Sequence, residues 1–178
     1  MDKKHVLLTG PRGSGKSSLI RIAVSRLRAP VCGFVTDFLP ADENGFHPIY
    51  IHPAGQENRL YRDENCIGTC DTKIHNIRPE VFDTVGTGLI RAAKPGGLLV
   101  MDELGFMEEK SPPFMDAVLE ALDGSIPVLA ACKNRTDIPF LSKVRMHPSV
   151  ILHDLGMEPW DHALNDICGW LRAMEMLR

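Results

Sequence analysis

A glycine-rich segment near the start of the chain has the residue types of a phosphate-binding loop. Residues 10–17 read G-P-R-G-S-G-K-S, which satisfies the pattern G-x-x-x-x-G-K-[S/T]. Small residues let the backbone N–H groups of Gly13, Gly15 and Lys16 turn toward one anion, and a following helix adds positive potential at its N-terminal end. Lys16 is therefore expected to reach the β- and γ-phosphates of a nucleotide, and the Ser17 hydroxyl to ligate Mg²⁺.

Two carboxylates end an apolar segment in the middle of the chain. Leu98–Met101 reads L-L-V-M without polar alternation, which is typical of a strand buried on both faces of a parallel sheet, and Asp102 and Glu103 follow directly. Asp102 is expected to hold the water shell of the metal, and Glu103 to orient or deprotonate an attacking water. A cap on the next segment or an ion pair with a surface lysine is the other role open to Glu103. At least one of Glu108 and Glu109 is expected on a solvated loop.

These groups need strands and helices that bring them together. His5–Thr9 is apolar and rich in β-formers, and residues 16–27 carry apolar side chains at helical spacing, so the glycine-rich loop is predicted between a strand and a helix. Further strands are predicted at residues 31–36, 98–103, 126–132 and 150–153, and further helices at about 80–93, at 111–122 and from 161 onward.

The region after the second predicted strand has a different pattern. Residues 39–58 alternate short apolar groups with Pro, Asp, Asn and Gly, which favours antiparallel hairpins, whereas residues 63–77 are expected to be irregular. The whole chain therefore predicts an α/β fold with a mostly parallel central sheet flanked by helices and a β-hairpin-rich insertion after the second strand.

Length and composition bound the class of protein. The 178 residues, 44% hydrophobic and 24% charged, predict one globular domain spanning residues 1–178. The net charge of −3, with no block of one sign, indicates no nucleic-acid surface, and the apolar runs are far shorter than the ~18 residues of a membrane span. Five scattered cysteines and the lack of a signal-peptide core favour a cytoplasmic protein with reduced thiols. Composition does not indicate an oligomeric state.

Three other functions fit the same motifs. Residues 102–105 also read D-x-x-G, and Asn134–Asp137 (N-R-T-D) approximates the guanine-reading N-K-x-D, which together would make a GTP-binding switch protein. A glycine-rich loop with an acidic strand end also suits a small-molecule or nucleotide kinase, with the acceptor held by Arg12 or by the insertion. A module that binds nucleotide without turnover is the third alternative.

Several segments carry a resemblance to a known family. They are T-G-P-R-G-S-G-K-S-S-L at residues 9–19, G-F-V-T at 33–36, N-G-F at 44–46 and, above all, L-L-V-M-D-E-L-G-F-M-E-E-K-S-P-P-F at 98–114. In order and spacing from Val6 to about Cys132, the chain resembles the small P-loop nucleoside triphosphatases first described from thermophiles, also called cancer-related nucleoside triphosphatases. The resemblance implies a RecA-like fold and Mg²⁺-dependent hydrolysis of several nucleoside triphosphates, ATP and GTP among them, to diphosphate and phosphate.

The resemblance also implies which residues form the site. Lys16 and Glu103 would be catalytic, and Ser17 and Asp102 would hold Mg²⁺. The nucleoside triphosphate would contact two segments of the chain, namely Gly10, Pro11, Arg12, Gly13, Ser14, Gly15, Lys16, Ser17 and Ser18, and then Asp102, Glu103, Leu104, Gly105 and Phe106.

A cation that stabilises the transition state is the remaining element of such a site. Arg12, inside the glycine-rich loop, and Arg135, after the later strand, are the candidates. Because neither is placed by its spacing, and because such a cation contributes roughly 10³ to 10⁵ in rate in related chemistry, slow turnover is expected.

Overall fold

The computed structural model describes residues 3–177 and is built around one eight-stranded sheet. The strands are β1 (His5–Thr9), β2 (Val31–Phe38), β3 (His47–Pro53), β4 (Cys66–Cys70), β5 (Ile74–His75), β6 (Leu98–Leu104), β7 (Val128–Cys132) and β8 (Val150–Asp154). Their order across the sheet is β5-β4-β3-β2-β6-β7-β1-β8.

Helices connect the strands and cover the sheet. They are α1 (Lys16–Ser25), α2 (Pro79–Val81), α3 (Thr87–Arg91), α4 (Pro112–Asp123), α5 (Pro139–Arg145) and α6 (Trp160–Ala173), with a π-helical turn (Phe82–Gly86) joining α2 to α3 and short 3₁₀ turns at Asp63–Asn65 and Met107–Lys110. Proline in the first turn starts α2, α4 and α5, where its missing N–H costs no hydrogen bond. Within residues 3–177, no helix has the length and apolar character needed to cross a membrane.

The sheet has a parallel part and an antiparallel part. Strands β2, β6, β7, β1 and β8 pair in parallel, while β3, β4 and β5 extend the β2 edge with antiparallel pairings. The predicted α/β fold, with a mostly parallel sheet and a hairpin-rich insertion after the second strand, is confirmed. Because parallel strands end at the same edge, the residues that follow β1, β2, β6 and β7 lie side by side.

One local prediction was wrong, and one helix was not predicted. Residues 63–77, predicted to be irregular, contain β4 and β5. β4 has a glycine at its centre, and β3 pairs with it through a register shift between Ile49 and Tyr50, so it is specified by its neighbouring strand rather than by a local pattern. The seven-residue helix α5 was not predicted, because so short a segment has little helical periodicity of its own.

The hydrophobic core lies in two layers, one on each face of the sheet. One layer contains the packed rings of Phe34, Phe82 and Phe114, whose neighbouring centroids are 5.5 and 5.2 Å apart. The other lies under α1 and α6. Leu98–Met101 is buried and contributes alternate side chains to the two layers, which confirms a strand covered on both faces.

Candidate functional site

A cavity of about 860 Å³ opens at the carboxyl edge of the parallel strands. Its walls come from the glycine-rich loop after β1, from the ends of β2 and β6, and from the residues after β7. All of the residues predicted to contact nucleotide line it except Ser14 and Leu104. The side chain of Leu104 is fully buried in the core instead. The two predicted segments, more than eighty positions apart in sequence, therefore form one site.

The glycine-rich loop has a backbone that favours glycine at two key positions. Gly13 and Gly15 have φ angles of 79° and 92°, a region that other residues rarely adopt. A Cβ at Gly15 would also lie 2.8 Å from Nε1 of Trp160. Gly15 has no side chain that could cap α1, so the N–H groups of the first helical turn remain available to an anion.

One hydroxyl of the loop lies outside the cavity lining. Ser14 Oγ is buried and has no hydrogen-bond partner among residues 3–177. It would lie 3.1 Å from a Cβ at Gly10, so this hydroxyl packs against the loop itself.

Lys16 lies at the base of the loop and is only 8% exposed. Its ammonium donates hydrogen bonds to the carbonyls of Gly10 at 3.2 Å and Pro11 at 3.1 Å. It also lies 3.8 Å from Oε2 of Glu103. The charge is therefore held inside the cavity, where an anionic ligand can reach it.

Ser17 and Asp102 place two oxygen atoms together on the cavity wall. The Ser17 hydroxyl donates to Oδ1 of Asp102 at 2.9 Å. Asp102 is 7% exposed, and burial raises its pKa to about 6. Within residues 3–177, no group of three or more His, Cys, Asp or Glu side chains is arranged to hold a metal ion. A hydroxyl and a single carboxylate suit a cation that takes its other ligands from phosphate and water, as Mg²⁺ does.

Glu103 is held between two lysines. Its Oε2 lies 3.8 Å from Nζ of Lys16, and its Oε1 lies 4.0 Å from Nζ of Lys133. Thr36 of β2 contacts the backbone on both sides of this carboxylate, because its hydroxyl donates to the Asp102 carbonyl at 3.2 Å and accepts from the Glu103 N–H at 3.4 Å. Both lysines belong to the cavity wall, so the glutamate faces the cavity rather than an unrelated part of the surface.

Glu108 is buried beneath the segment that follows β6. It is 2% exposed, and both of its carboxylate oxygens accept from the N–H of Gly105 at 3.1 Å. Burial raises the pKa of this carboxyl group to about 7. Glu109 is exposed, as expected for at least one member of the pair. Glu108 therefore closes a tight turn that presents Gly105 and Phe106 to the cavity.

The two arginines considered as stabilising cations lie in different surroundings. Arg135 donates to both carboxylate oxygens of Asp137, at 2.7 and 2.5 Å. This pairing lowers the pKa of Asp137 to about 2. It also occupies the carboxylate that a guanine-reading motif would use. Arg12 lies on the exposed part of the loop.

Two features of the site were not predicted. Lys133, the first residue after β7, extends into the cavity, and no local pattern distinguishes it from other lysines. Asp37, at the end of β2, also lines the cavity and is bound by His52 Nε2 at 3.0 Å, by the Tyr61 hydroxyl at 3.1 Å and by the Arg59 guanidinium. These contacts connect residues 52–61 of the insertion to the rim of the site.

Comparison with known proteins gives consistent matches over nearly the whole chain. A family model described as NTPase matches residues 5–168. Nucleoside-triphosphatase THEP1 of Thermotoga maritima is 29% identical over 169 residues, which cover 94% of this chain and 95% of that protein. A cancer-related nucleoside-triphosphatase homolog of Bos taurus is 28% identical over 185 residues, covering 92% of this chain and 94% of that protein.

A solved structure shows the same fold. The crystal structure of THEP1 from the hyperthermophile Aquifex aeolicus matches with a TM-score of 0.73 at 22% identity, covering 94% of this chain and 98% of that one. The two proteins therefore share one fold over 94% of this chain.

Proposed function

Because the chain belongs to the NTPase family, we propose that its cavity hydrolyses nucleoside triphosphates, ATP and GTP among them, to nucleoside diphosphate and phosphate. The resemblance inferred from residues 9–114 is confirmed by that membership. The observation that carries the proposal is the meeting of Lys16, the Ser17–Asp102 pair and Glu103 on the wall of one cavity. A phosphate-binding lysine, an oxygen pair suited to a metal and a carboxylate suited to water activation are the parts that such hydrolysis needs.

The triphosphate binds along residues 10–18. Backbone N–H groups of the loop and of the first turn of α1 donate to its oxygens. Lys16 exchanges its contacts with the carbonyls of Gly10 and Pro11 for contacts with the β- and γ-phosphates. The same exchange loosens the contact between Lys16 and Glu103.

Mg²⁺ fits beside this loop. Ser17 and Asp102 would hold it, because their oxygen atoms already lie 2.9 Å apart and the buried Asp102 has no cation within bonding distance among residues 3–177. The ion supplies positive charge to the β- and γ-phosphate oxygens when it is bound.

Glu103 orients the attacking water. The water oxygen forms a bond to the γ-phosphorus while the bond from that phosphorus to the β–γ bridging oxygen breaks, and the electron pair of the broken bond remains on the diphosphate. The proton released by the water passes to the Glu103 carboxylate and from there to the phosphate product or to solvent. No covalent enzyme intermediate is required, so positioning and charge stabilisation account for the rate.

Phosphate release tests the proposal directly. The assay measures release from ATP, GTP, CTP and UTP, with and without Mg²⁺ and without any acceptor, for the wild type, for Lys16→Ala and for the matched control Lys143→Ala on the exposed face of α5. We expect metal-dependent release from several nucleotides, at least about 10²-fold lower in Lys16→Ala and unchanged in the control. Equal release by Lys16→Ala would place the site elsewhere. Release from GTP alone would favour the switch protein, and tight binding without release would favour a kinase that lacks its acceptor or a binding module.

A further inference from the structure

We propose that Lys133 is a catalytic residue whose ammonium binds the γ-phosphoryl group as it is transferred to water. This inference rests on the proposed hydrolysis and gives Lys133 the role for which the sequence offered Arg12 and Arg135 only as candidates. Lys133 lines the cavity, follows β7 directly and is 35% exposed.

The position of β7 explains why Lys133 reaches the reacting phosphate. β7 lies between β1, which leads into the phosphate-binding loop, and β6, which ends in the two carboxylates. The residue after β7 is therefore placed between the two halves of the site. The Lys133 N–H donates to the Leu104 carbonyl at 2.9 Å, which attaches its backbone to the end of β6.

Three side-chain contacts direct the ammonium group. A Cβ at Gly105 would lie 3.4 Å from both Cδ and Cε of Lys133, so the aliphatic part of the lysine passes close to a residue without a side chain. The ammonium lies 4.9 Å from the ring centroid of Phe106 and 4.0 Å from Oε1 of Glu103. Because these contacts already restrict the side chain of Lys133, it loses less conformational freedom when it binds phosphate than a free surface lysine does.

The contacts of Glu103 locate the ammonium groups of Lys16 and Lys133 within the cavity. One carboxylate group contacts both Lys16 and Lys133, each through a different oxygen. The two ammonium groups therefore face one small region of the cavity, and an anion is already drawn into it. A γ-phosphate, with its larger negative charge, competes with Glu103 for both lysines, and the carboxylate is then free to act on water.

The other cations near this point are less suited to the role. The Arg135 guanidinium binds both carboxylate oxygens of Asp137 through Nε and Nη2, and its central carbon lies 5.8 Å from the ring centroid of Phe106. Arg12 is exposed on the outer part of the loop. Lys133 is thus the better placed of the three to neutralise charge that develops on the phosphoryl oxygens.

The test compares turnover with transition-state binding. Lys133→Met removes the charge and keeps the aliphatic stem over Gly105, and Lys133→Gln is a second neutral variant in case one of them unfolds, which thermal melting reveals. We expect either variant to lower kcat for ATP hydrolysis about 100-fold with KM changed less than about threefold. The affinity for ADP with aluminium fluoride, which imitates the transferring phosphoryl group, falls by a similar factor, while the affinity for a non-hydrolysable ATP analogue falls less than about threefold.

Matched variants distinguish the role of Lys133 from that of Arg135 and of an unrelated surface lysine. Lys133→Arg should recover part of the rate, Lys143→Gln should behave as wild type, and Arg135→Gln should lose less than Lys133→Met. A kcat of Lys133→Met within threefold of wild type, or a larger loss in Arg135→Gln, would overturn the proposal. If the wild type hydrolyses no nucleotide, the proposed function fails, whereas an active wild type with an equally active Lys133→Met protein refutes this inference alone.

A double variant distinguishes direct contact from positioning. If Lys133 acts only by holding Glu103, then Lys133→Met/Glu103→Gln will bind ADP with aluminium fluoride as tightly as Glu103→Gln does, and the catalytic assignment is wrong. If Lys133 contacts the phosphoryl group, the double variant binds that complex at least about tenfold more weakly than Glu103→Gln.

Discussion

Ser17 and Asp102 lie 85 positions apart in the chain, yet the hydroxyl of one donates a 2.9 Å hydrogen bond to the carboxylate of the other. The contact joins the first turn of α1 to the end of β6. It places a neutral and a negative oxygen ligand together at the point where a phosphate-bound metal ion would lie. If hydrolysis uses Mg²⁺ as proposed, its dependence on Mg²⁺ concentration should therefore change with the charge of Asp102.

Replacing Asp102 by Asn tests that dependence. The amide keeps an oxygen that accepts from Ser17 but removes the negative charge, so we expect the Mg²⁺ concentration for half-maximal rate to rise at least about tenfold. Phosphate release measured against Mg²⁺ concentration gives this value. Asp116→Asn, on the exposed face of α4, is the control. An unchanged Mg²⁺ dependence in Asp102→Asn would remove Asp102 from the metal site.

Replacing Glu103 by Gln should separate binding from turnover. The amide cannot accept a proton from water, so kcat is expected to fall by roughly 10² to 10⁴, while nucleotide affinity changes little. Single-turnover phosphate release and equilibrium nucleotide binding measure the two quantities. Full turnover in Glu103→Gln alongside a defective Asp102→Asn would reject water activation by Glu103 and leave the metal assignment intact.

Thr36 is expected to act by positioning the two carboxylates. Thr36→Val keeps the shape of the side chain but removes the hydroxyl that contacts the Asp102 carbonyl and the Glu103 N–H. We expect kcat to fall about tenfold and stability to fall by about 1 to 2 kcal/mol, because backbone groups lose a partner. Thr36→Ser, which keeps the hydroxyl, should restore most of both. If the serine variant is as impaired as the valine variant, packing of the methyl group is the cause instead.

The stability of the protein should depend on pH through Glu108. Burial raises the pKa of this carboxyl group from 4.5 to about 7 in the folded state. As pH rises from about 4.5 to 7, the unfolded chain loses the proton while the folded chain retains it, so the contribution of Glu108 to stability falls over that window. Glu108→Gln, which does not titrate, should gain up to about 3 kcal/mol relative to wild type between pH 5 and pH 8.

Urea unfolding at the two pH values measures this gain. The exposed neighbour variant Glu109→Gln should show no comparable change. A constant difference between Glu108→Gln and wild type across the range would mean that Glu108 is already ionised in the folded protein at pH 5.

The parts of the site that were predictable are those encoded by neighbouring residues. The loop from Gly10 to Ser17 carries its glycines, lysine and hydroxyl within one segment, and Asp102 and Glu103 follow directly on a buried apolar strand. In both cases the residues that form the recognisable sequence pattern are also the residues that line the site. The parallel part of the sheet was predictable for the same reason, since each of its strands contains a short apolar segment.

The parts that escaped prediction depend on pairing between distant segments. Lys133 is one lysine among several, and its importance follows from the place of β7 between β1 and β6. Arg135 has a suitable charge and a suitable place in the sequence, but it pairs with Asp137 two residues further on. β4 contains a central glycine and is a strand because β3 lies beside it. Tertiary contacts, rather than local propensity, determine the roles of these two side chains and the strand conformation of β4.

The close approach of Trp160 to Gly15 gives the protein an intrinsic optical probe. The indole Nε1 donates to the Gly15 carbonyl at 3.4 Å, and the chain contains only two tryptophans, both on α6. A ligand that draws the loop toward its phosphates changes the surroundings of one indole while the other, Trp170, lies ten residues along the helix. Fluorescence emission can therefore follow occupancy of the loop in unlabelled protein, and a Trp170→Phe background would assign the signal to a single residue.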